Sequence, residues 1–292
     1  MPRFRSEKLA QEYKRKRNIK LFLSFVCLCL FFGFLVYISR RPEINIKEIE
    51  VIGNNVIKKE QILDIAYFYL NQKYLGILPK SNIFIYPKGE IKQEILNSYL
   101  KIQDLQIGFS SLTSIKIVVL ERDPFALYCR DLDDIEDTVS DSIATSTNLA
   151  TIKKQNEECY FMDKVGYIYA NTESFFDTVY FKYFNENLED KKDILGTTFL
   201  LDETGRFEKV NLFIRFLKDI NIDVYRLEIK ENGDYQLFFD KDSVLIFEGN
   251  QNFEILLENL QAVLIDLGDL GDKEFEYIDL RFENKVLYKF RE

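Results

Sequence analysis

Histidine is missing from all 292 positions of the chain. Its absence removes Ser-His-Asp triads, HExxH zinc sites and most other zinc-hydrolase geometries together, since each needs an imidazole as base or ligand. Tryptophan is missing too, while 17 Tyr and 26 Phe give a bias that suits strands. GxGxxG, Walker A and GxSxG patterns are absent, so neither a phosphate-cradling loop nor a nucleophile elbow is written in the chain. Carboxylates abound, yet no motif sets one beside a nucleophile or a base. The expectation is a non-catalytic protein with no cofactor, no metal and no small-molecule substrate.

Charge is absent from one stretch in particular. Leu21 to Ile38, LFLSFVCLCLFFGFLVYI, carries no charged side chain. At ~1.5 Å per residue it reaches about 27 Å as a helix, close to the ~30 Å hydrocarbon core of a bilayer. A signal peptide has an apolar region of roughly 7–15 residues and a small-x-small cleavage site. This run is longer, and its exit, Tyr37-Ile38-Ser39-Arg40-Arg41, lacks that pattern, so a retained anchor is expected. The preceding tail holds eight basic residues against Glu7 and Glu12, a charge of +6. On the positive-inside rule the tail, residues 1–20, stays in the cytoplasm and the chain beyond the span at 21–39 faces outward. The net charge of −9 then leaves −15 for everything after the tail. So acidic a surface is poorly suited to phosphate contacts, and nucleic acid is not an expected partner.

Cysteine is scarce and paired. Cys27 and Cys29 lie in the span, where a thiol behaves as a small apolar side chain, with palmitoylation as the alternative. Cys129 and Cys159 lie on the outward side, where disulfides persist. Each belongs to a strand-like segment (FALYC, CYFMD). If the two segments are antiparallel neighbours, the cysteines can bridge, and otherwise they are two buried thiols.

Beyond the span the apolar period changes repeatedly. Ile44 to Ile52 reads as an edge strand with a slip in phase. From Lys58 the pattern is helical through Ile62, Ala66 and Leu70, although Lys58 stands where Ser, Thr or Asp would cap. A second helix after Pro87 carries Ile91, Ile95, Leu96 and Tyr99. Strands follow with Leu105, Ile107 and Phe109, then Ile115, Ile117 and Val119. The expected order is strand, helix, helix, strand, strand, with both helices on one face. The region 131–157 is rich in Asp, Ser and Thr and reads as a mobile insert. Its acidic cluster lacks the spacing and central Gly of an EF-hand loop. The aromatic run Phe175, Phe176, Tyr180, Phe181, Tyr183, Phe184 reads as half-buried strand, with a partner surface as the alternative. Val210, Phe213, Ile214 and Leu217 mark a helix. Tyr225, Leu227 and Ile229 alternate up to the Asn232-Gly233 turn, then Tyr235, Leu237 and Phe239 alternate back, and Val244 with Ile246 completes a meander. Leu256, Leu260, Val263, Leu264 and Leu267 form another helical stripe. A strand pair through Ile278, Leu280 and Phe282, then Val286 and Tyr288, follows it. The fold class expected is α+β: an N-terminal transmembrane helix, a small β-α-α-β-β domain, then a β-rich mixed domain.

At four places these residues resemble a known family. IKEIEVIGNNVIKKEQIL looks like the opening of a POTRA domain, the polypeptide-transport-associated module. Glu121-Arg122-Asp123-Pro124-Phe125-Ala126 resembles the E-R-x-P-x-A signature after the POTRA domain of the bacterial division family FtsQ/DivIB. Asp279-Leu280-Arg281-Phe282 resembles that family's D-L-R-[FY] motif in the closing strand pair, and Asp163 to Gly166 matches its D-x-x-G turn. The resemblance places a POTRA domain at 43–122 and the family's β domain at 123–292. It implies a single-pass protein of the cytoplasmic membrane, enriched at the division septum, that binds FtsB and FtsL-type partners. The alternative is a POTRA component of polypeptide transport, a class that usually carries several such domains ahead of a barrel.

The resemblance also points to the closing strands as the docking place for FtsB. Alternation there sets Ile278, Leu280 and Phe282 inward and leaves Tyr277, Asp279 and Arg281 available. The expected partner site is Tyr277, Asp279, Arg281, Phe282, Val286, Leu287 and Tyr288. Asp279 and Arg281, at alternate positions, share one face, where an ion pair or a partner contact is the reading preferred to catalysis.

Overall fold

The computed structural model describes residues 3–131, 157–172, 179–189, 193–200, 205–239, 243–267, 275–282 and 285–291. Phe175, Phe176 and the interior of the expected insert, with most of its acidic cluster, lie outside them. The chain is mixed α+β and divides into two compact units, Met1–Glu121 and Arg122–Glu292.

The first unit opens with helix α1 (Arg3–Ser39). Its segment Arg15–Ser39 is long and apolar enough to cross a membrane, with a mean hydropathy of 2.7 and no part of the apolar window buried in protein. Beyond it come β1 (Glu48–Ile52), α2 (Lys59–Leu70), the short strands β2 (Lys73–Tyr74) and β3 (Leu78–Pro79), α3 (Lys88–Ser98), β4 (Ile102–Ser111) and β5 (Ser114–Glu121). The sheet order is β1-β5-β4, with β1 parallel to β5 and β4 antiparallel to it. Ile62, Ala66 and Leu70 of α2 and Ile91 and Ile95 of α3 bury against Ile49, Val51, Leu105, Ile107, Ile115, Ile117 and Val119. The expected element order is therefore present, with a two-stranded hairpin added between the helices. Phe109, expected inward, is exposed: the β4–β5 ladder slips just beyond it.

Two long-range constraints hold the turn into α2. Gly53 has φ +81°, and a Cβ there would lie 2.3 Å from the Val119 carbonyl oxygen, so only glycine fits. Lys58 offers no accepting side chain. In the turn before it, the buried Glu121 carboxylate, at the far end of β5, accepts the N–H groups of Asn55 (2.9 Å), Val56 (3.0 Å) and Ile57 (3.0 Å). Burial alone would raise the Glu121 pKa, but the three N–H donors outweigh it and hold the carboxyl below its usual range.

The second unit contains β6 (Ala126–Asp131), β7 (Glu157–Met162), β8 (Ile168–Asn171), β9 (Lys182–Asn185), the single turn α4 (Glu186–Glu189), α5 (Arg206–Asp219), β10 (Val224–Ile229), β11 (Asp234–Phe239), β12 (Ser243–Glu248), α6 (Phe253–Leu267), β13 (Phe275–Asp279) and β14 (Leu287–Phe290). They form one nine-stranded sheet in the order β14-β13-β12-β11-β10-β9-β6-β7-β8. Parallel neighbours require a crossover, usually helical. Here α5 lies in the chain between the parallel pair β9 and β10, and α6 between the parallel pair β12 and β13. In the antiparallel meander β10-β11-β12 the first turn falls at Asn232-Gly233, with Gly233 at φ +87°. Phe207, Val210, Phe213 and Leu217 of α5 and Leu256 and Leu260 of α6 bury against Tyr128, Tyr183, Leu227, Leu237 and Phe247 from the sheet. Tyr183 and Phe184 of the aromatic run are buried in β9.

The Glu121 geometry makes a pH prediction. Its folded pKa is depressed, so its contribution is complete above the unfolded carboxyl pKa of about 4.3 and is lost as pH falls through the folded value. Glu121→Gln should cost the first unit about 1–3 kcal/mol at neutral pH and flatten its acid destabilisation. Urea unfolding of the full chain in detergent, followed by circular dichroism from pH 7 to acid, reads both. An unchanged acid limb would contradict this role.

Candidate functional site

A sheet nine strands wide that does not close has two edges. At one, the start of β8 is bonded by the chain itself: Ile168 donates its N–H to Thr197 O (2.9 Å) and accepts from Gly196 N (2.8 Å), while Phe199 N bonds Gly166 O, just before the strand (2.8 Å). The other edge is β14. It pairs antiparallel with β13 alone (Asp279↔Leu287, Ile278↔Tyr288, Tyr277↔Lys289, Phe275↔Phe290), and no strand among the described residues lies beyond it. Leu287, Tyr288, Lys289 and Phe290 are all exposed. Tyr288 and Phe290 contact each other and the buried Phe275 ring, at 5.5, 6.2 and 4.8 Å between centroids, an aromatic ledge on the face that carries the helices. On the opposite face Lys289 pairs with Glu276.

Asp279, expected to remain available, is buried at the end of β13 with only 5 % of its surface exposed. Its Oδ1 accepts from the Arg281 backbone N–H (3.1 Å) and Nε (2.9 Å), and its Oδ2 accepts from an Arg281 Nη (2.6 Å). The second Arg281 Nη donates to Asp234 at 2.8 Å. Burial pushes the Asp279 pKa up, and the bonds from Arg281 overcome it, leaving the carboxyl below its ordinary value. Arg281 is pushed up in turn, chiefly by its bonds to Asp279. The D-L-R stretch is thus an internal clamp: Leu280 between the two ions is fully buried, its N–H bonds Ile246 O (2.8 Å), and Gln251 donates to its carbonyl (2.7 Å).

Several expected site residues are placed differently from the alternation reading. Ile278 and Leu280 face inward, but Phe282 is exposed, with Lys285 Nζ 4.8 Å from its ring, because the strand ends at Asp279. Tyr277 is half-buried. Val286 precedes β14, half-buried against the core, so the edge strand is carried by Leu287 and Tyr288. What the sequence reading missed are Phe275 and Phe290, which with the expected Tyr288 make the ledge. The signal was aromatic residues two apart, at 288 and 290.

Cys129 and Cys159 stand directly opposite in the β6–β7 register and form a disulfide, S–S 2.04 Å, Cα–Cα 4.1 Å. Glu157 lies close to them but is paired with Lys182 at 2.6 Å. Both sulfurs are committed to each other, so this trio supplies no metal-ligand set while the bridge is intact. An open cleft of about 720 Å³ beside α5 is walled by Phe125, Tyr180, Tyr183, Lys182, Arg215 and Lys218, without a nucleophile set against a base. Arg122 turns to Asp163 at 2.5 Å and stacks 3.9 Å from the centre of the Tyr167 ring. Asp163 in turn accepts the N–H groups of Val165 and Tyr167 and shapes the turn at Gly166 (φ +82°). No protein-family model matches the chain, and no curated protein matches it.

Two outcomes follow. The bridge spans 30 positions, for which loop-closure entropy gives about 3–4 kcal/mol. Cys129→Ser/Cys159→Ser should lose that much by urea unfolding, and the unreduced wild type should be lighter than the reduced by two hydrogens in intact mass spectrometry. Full alkylation of both thiols without reductant would exclude the bridge. Arg281→Glu sets a third carboxylate beside Asp279 and Asp234. It should cost the second unit about 2 kcal/mol, below the 3–5 of a fully buried broken pair because Arg281 is partly solvated. A melting curve identical to wild type would show that the clamp carries no stability.

Proposed function

We propose that this chain is a non-catalytic, membrane-anchored division scaffold of the FtsQ/DivIB kind, which captures an extended segment of an FtsB-type partner on the open edge of β14. On this reading the tail before the span is cytoplasmic, the first unit after the span is a POTRA domain, and both units work outside the cytoplasmic membrane at the septum. The observation that carries the reading is that no strand among the described residues lies beyond β14, whereas the start of β8 is bonded to residues 196–199. An open edge presents a row of main-chain donors and acceptors that natural proteins otherwise blunt. An added strand would satisfy them, and alternate side chains would give specificity. The order of the E-R-x-P-x-A and D-L-R-F stretches behind a single span supports the same reading. The clamp sets the roles: Leu287, Tyr288 and Phe290 would meet the incoming strand, Phe282 and Tyr277 would flank it, and Asp279 and Arg281 would hold the edge in place.

Adjacent strand residues direct their N–H groups to opposite sides, so of Leu287→Pro and Tyr288→Pro one removes a bond to β13 and the other an outward donor. The variant that keeps the wild-type melting temperature should lose at least tenfold in capture of the cognate FtsB-type protein, about 1.4 kcal/mol. Pull-down by the full chain in detergent measures it. Wild-type capture by a folded chain truncated before Lys285 would refute the site.

A further inference from the structure

The turn of the β2–β3 hairpin carries exposed apolar side chains. At its tip Leu75 is 96 % exposed and holds φ +49°, a left-handed conformation that Gly or Asn adopts more readily than a residue with a branched side chain. Gly76 follows at φ +71°, and the Ile77 N–H closes the turn on Tyr74 O at 3.0 Å. Ile77, Phe84 (71 % exposed) and Ile85 continue the exposed apolar surface. None of the four belongs to the core of the first unit, which takes Ile83 and the partly buried Tyr86 from this stretch.

Their position relative to α1 is fixed by hydrogen bonds within the same unit. An Arg40 Nη donates to Ile77 O (3.2 Å), and Asn82 Nδ2 donates to Ser39 Oγ (2.9 Å). Ile83 N bonds Ile44 O (3.0 Å) and Ile46 N bonds Ser81 O (2.8 Å), which ties the segment after the hairpin to the chain leaving the helix. Ser39 directly follows the uncharged run that ends at Ile38. Groups bonded to Ser39 and Arg40 therefore stand at the hydrocarbon boundary, beside an interfacial layer roughly 5–8 Å deep. Tyr37 and Arg41, with the guanidinium donating to the Tyr hydroxyl at 2.9 Å, supply an aromatic and basic pair of the kind that anchors at this depth.

We propose that Leu75, Ile77, Phe84 and Ile85 insert into the lipid interface beside the exit of α1, giving the first unit a second membrane contact that fixes its tilt against the bilayer. The occupant is the bilayer that α1 itself crosses: the turn that carries Leu75 and Ile77 is bonded to Arg40, two residues past the uncharged run. This rests on α1 as a membrane span, and the test separates the two claims.

Because the chain has no tryptophan, each single Trp variant is a site-specific fluorophore. The full chain is reconstituted in phosphatidylcholine vesicles with and without lipids brominated along the acyl chain. Leu75→Trp and Phe84→Trp report the hairpin, Tyr37→Trp reports the span, and Val56→Trp, exposed at the far end of β1, reports the aqueous side. Leu75→Trp and Phe84→Trp should show blue-shifted emission and quenching by brominated lipid of the same order as Tyr37→Trp, with Val56→Trp unquenched. Quenching at Tyr37→Trp alone, with the two hairpin positions behaving like Val56→Trp, overturns the proposal and leaves the span standing. No quenching at Tyr37→Trp removes the span and the proposal together.

Discussion

An open sheet must end, and where it ends decides what it can bind. Every interior strand of the nine-stranded sheet spends its main-chain donors and acceptors on two neighbours. The edge strands spend them on one, and each unpaired buried group would cost about 1–3 kcal/mol, so an edge is either wet, covered or used. Here the start of β8 is bonded to the chain's own 196–199 segment, and no strand among the described residues lies beyond β14. The clamp of Asp279, Arg281 and Asp234 acts on this end of the sheet. It ties the last residue of β13 to the start of β11, and Leu280 continues the bonding to β12 after β13 has ended. A four-residue strand such as β14 has little pairing of its own, and its geometry is inherited from this stiff border.

The junction residues Glu121 and Arg122 show a related economy. They are adjacent in sequence and serve different units, Glu121 accepting from the turn before α2 and Arg122 pairing with Asp163 in the turn before β8. Each ties a turn to a residue distant in sequence. Glu121 holds the turn before α2 through its N–H groups, and Arg122 meets the nearly buried carboxylate that shapes the turn at 163–166. A substitution at either position is therefore expected to act within one unit.

Much of the architecture was legible because it rests on local period. The uncharged run at 21–38, the alternation through 224–247 around Asn232-Gly233, and the stripes of α2, α3, α5 and α6 all come from side chains a few residues apart. The cysteine pairing was legible only on the condition that their segments are neighbours, which the β6–β7 register meets. What could not be read is set by distant contacts. Strand order across the sheet places β9 between β6 and β10, and no local pattern announces that. The Glu121 bonds cross more than sixty positions. Asp279 alternates like an outward residue, and it is; yet Arg281 and the neighbouring strand bury it, so period two gives the face and not the exposure. Phe282 fails for the converse reason, since the strand stops before it.

The central claim is that a partner is held by main-chain pairing along β14. Amide hydrogen exchange by mass spectrometry, on the full chain in detergent with and without the FtsB-type partner at saturation, reports that pairing directly. The account predicts new protection concentrated at residues 286–291, with little change along β8 and through the first unit. Protection elsewhere with the β14 amides exchanging as in the free protein would contradict it.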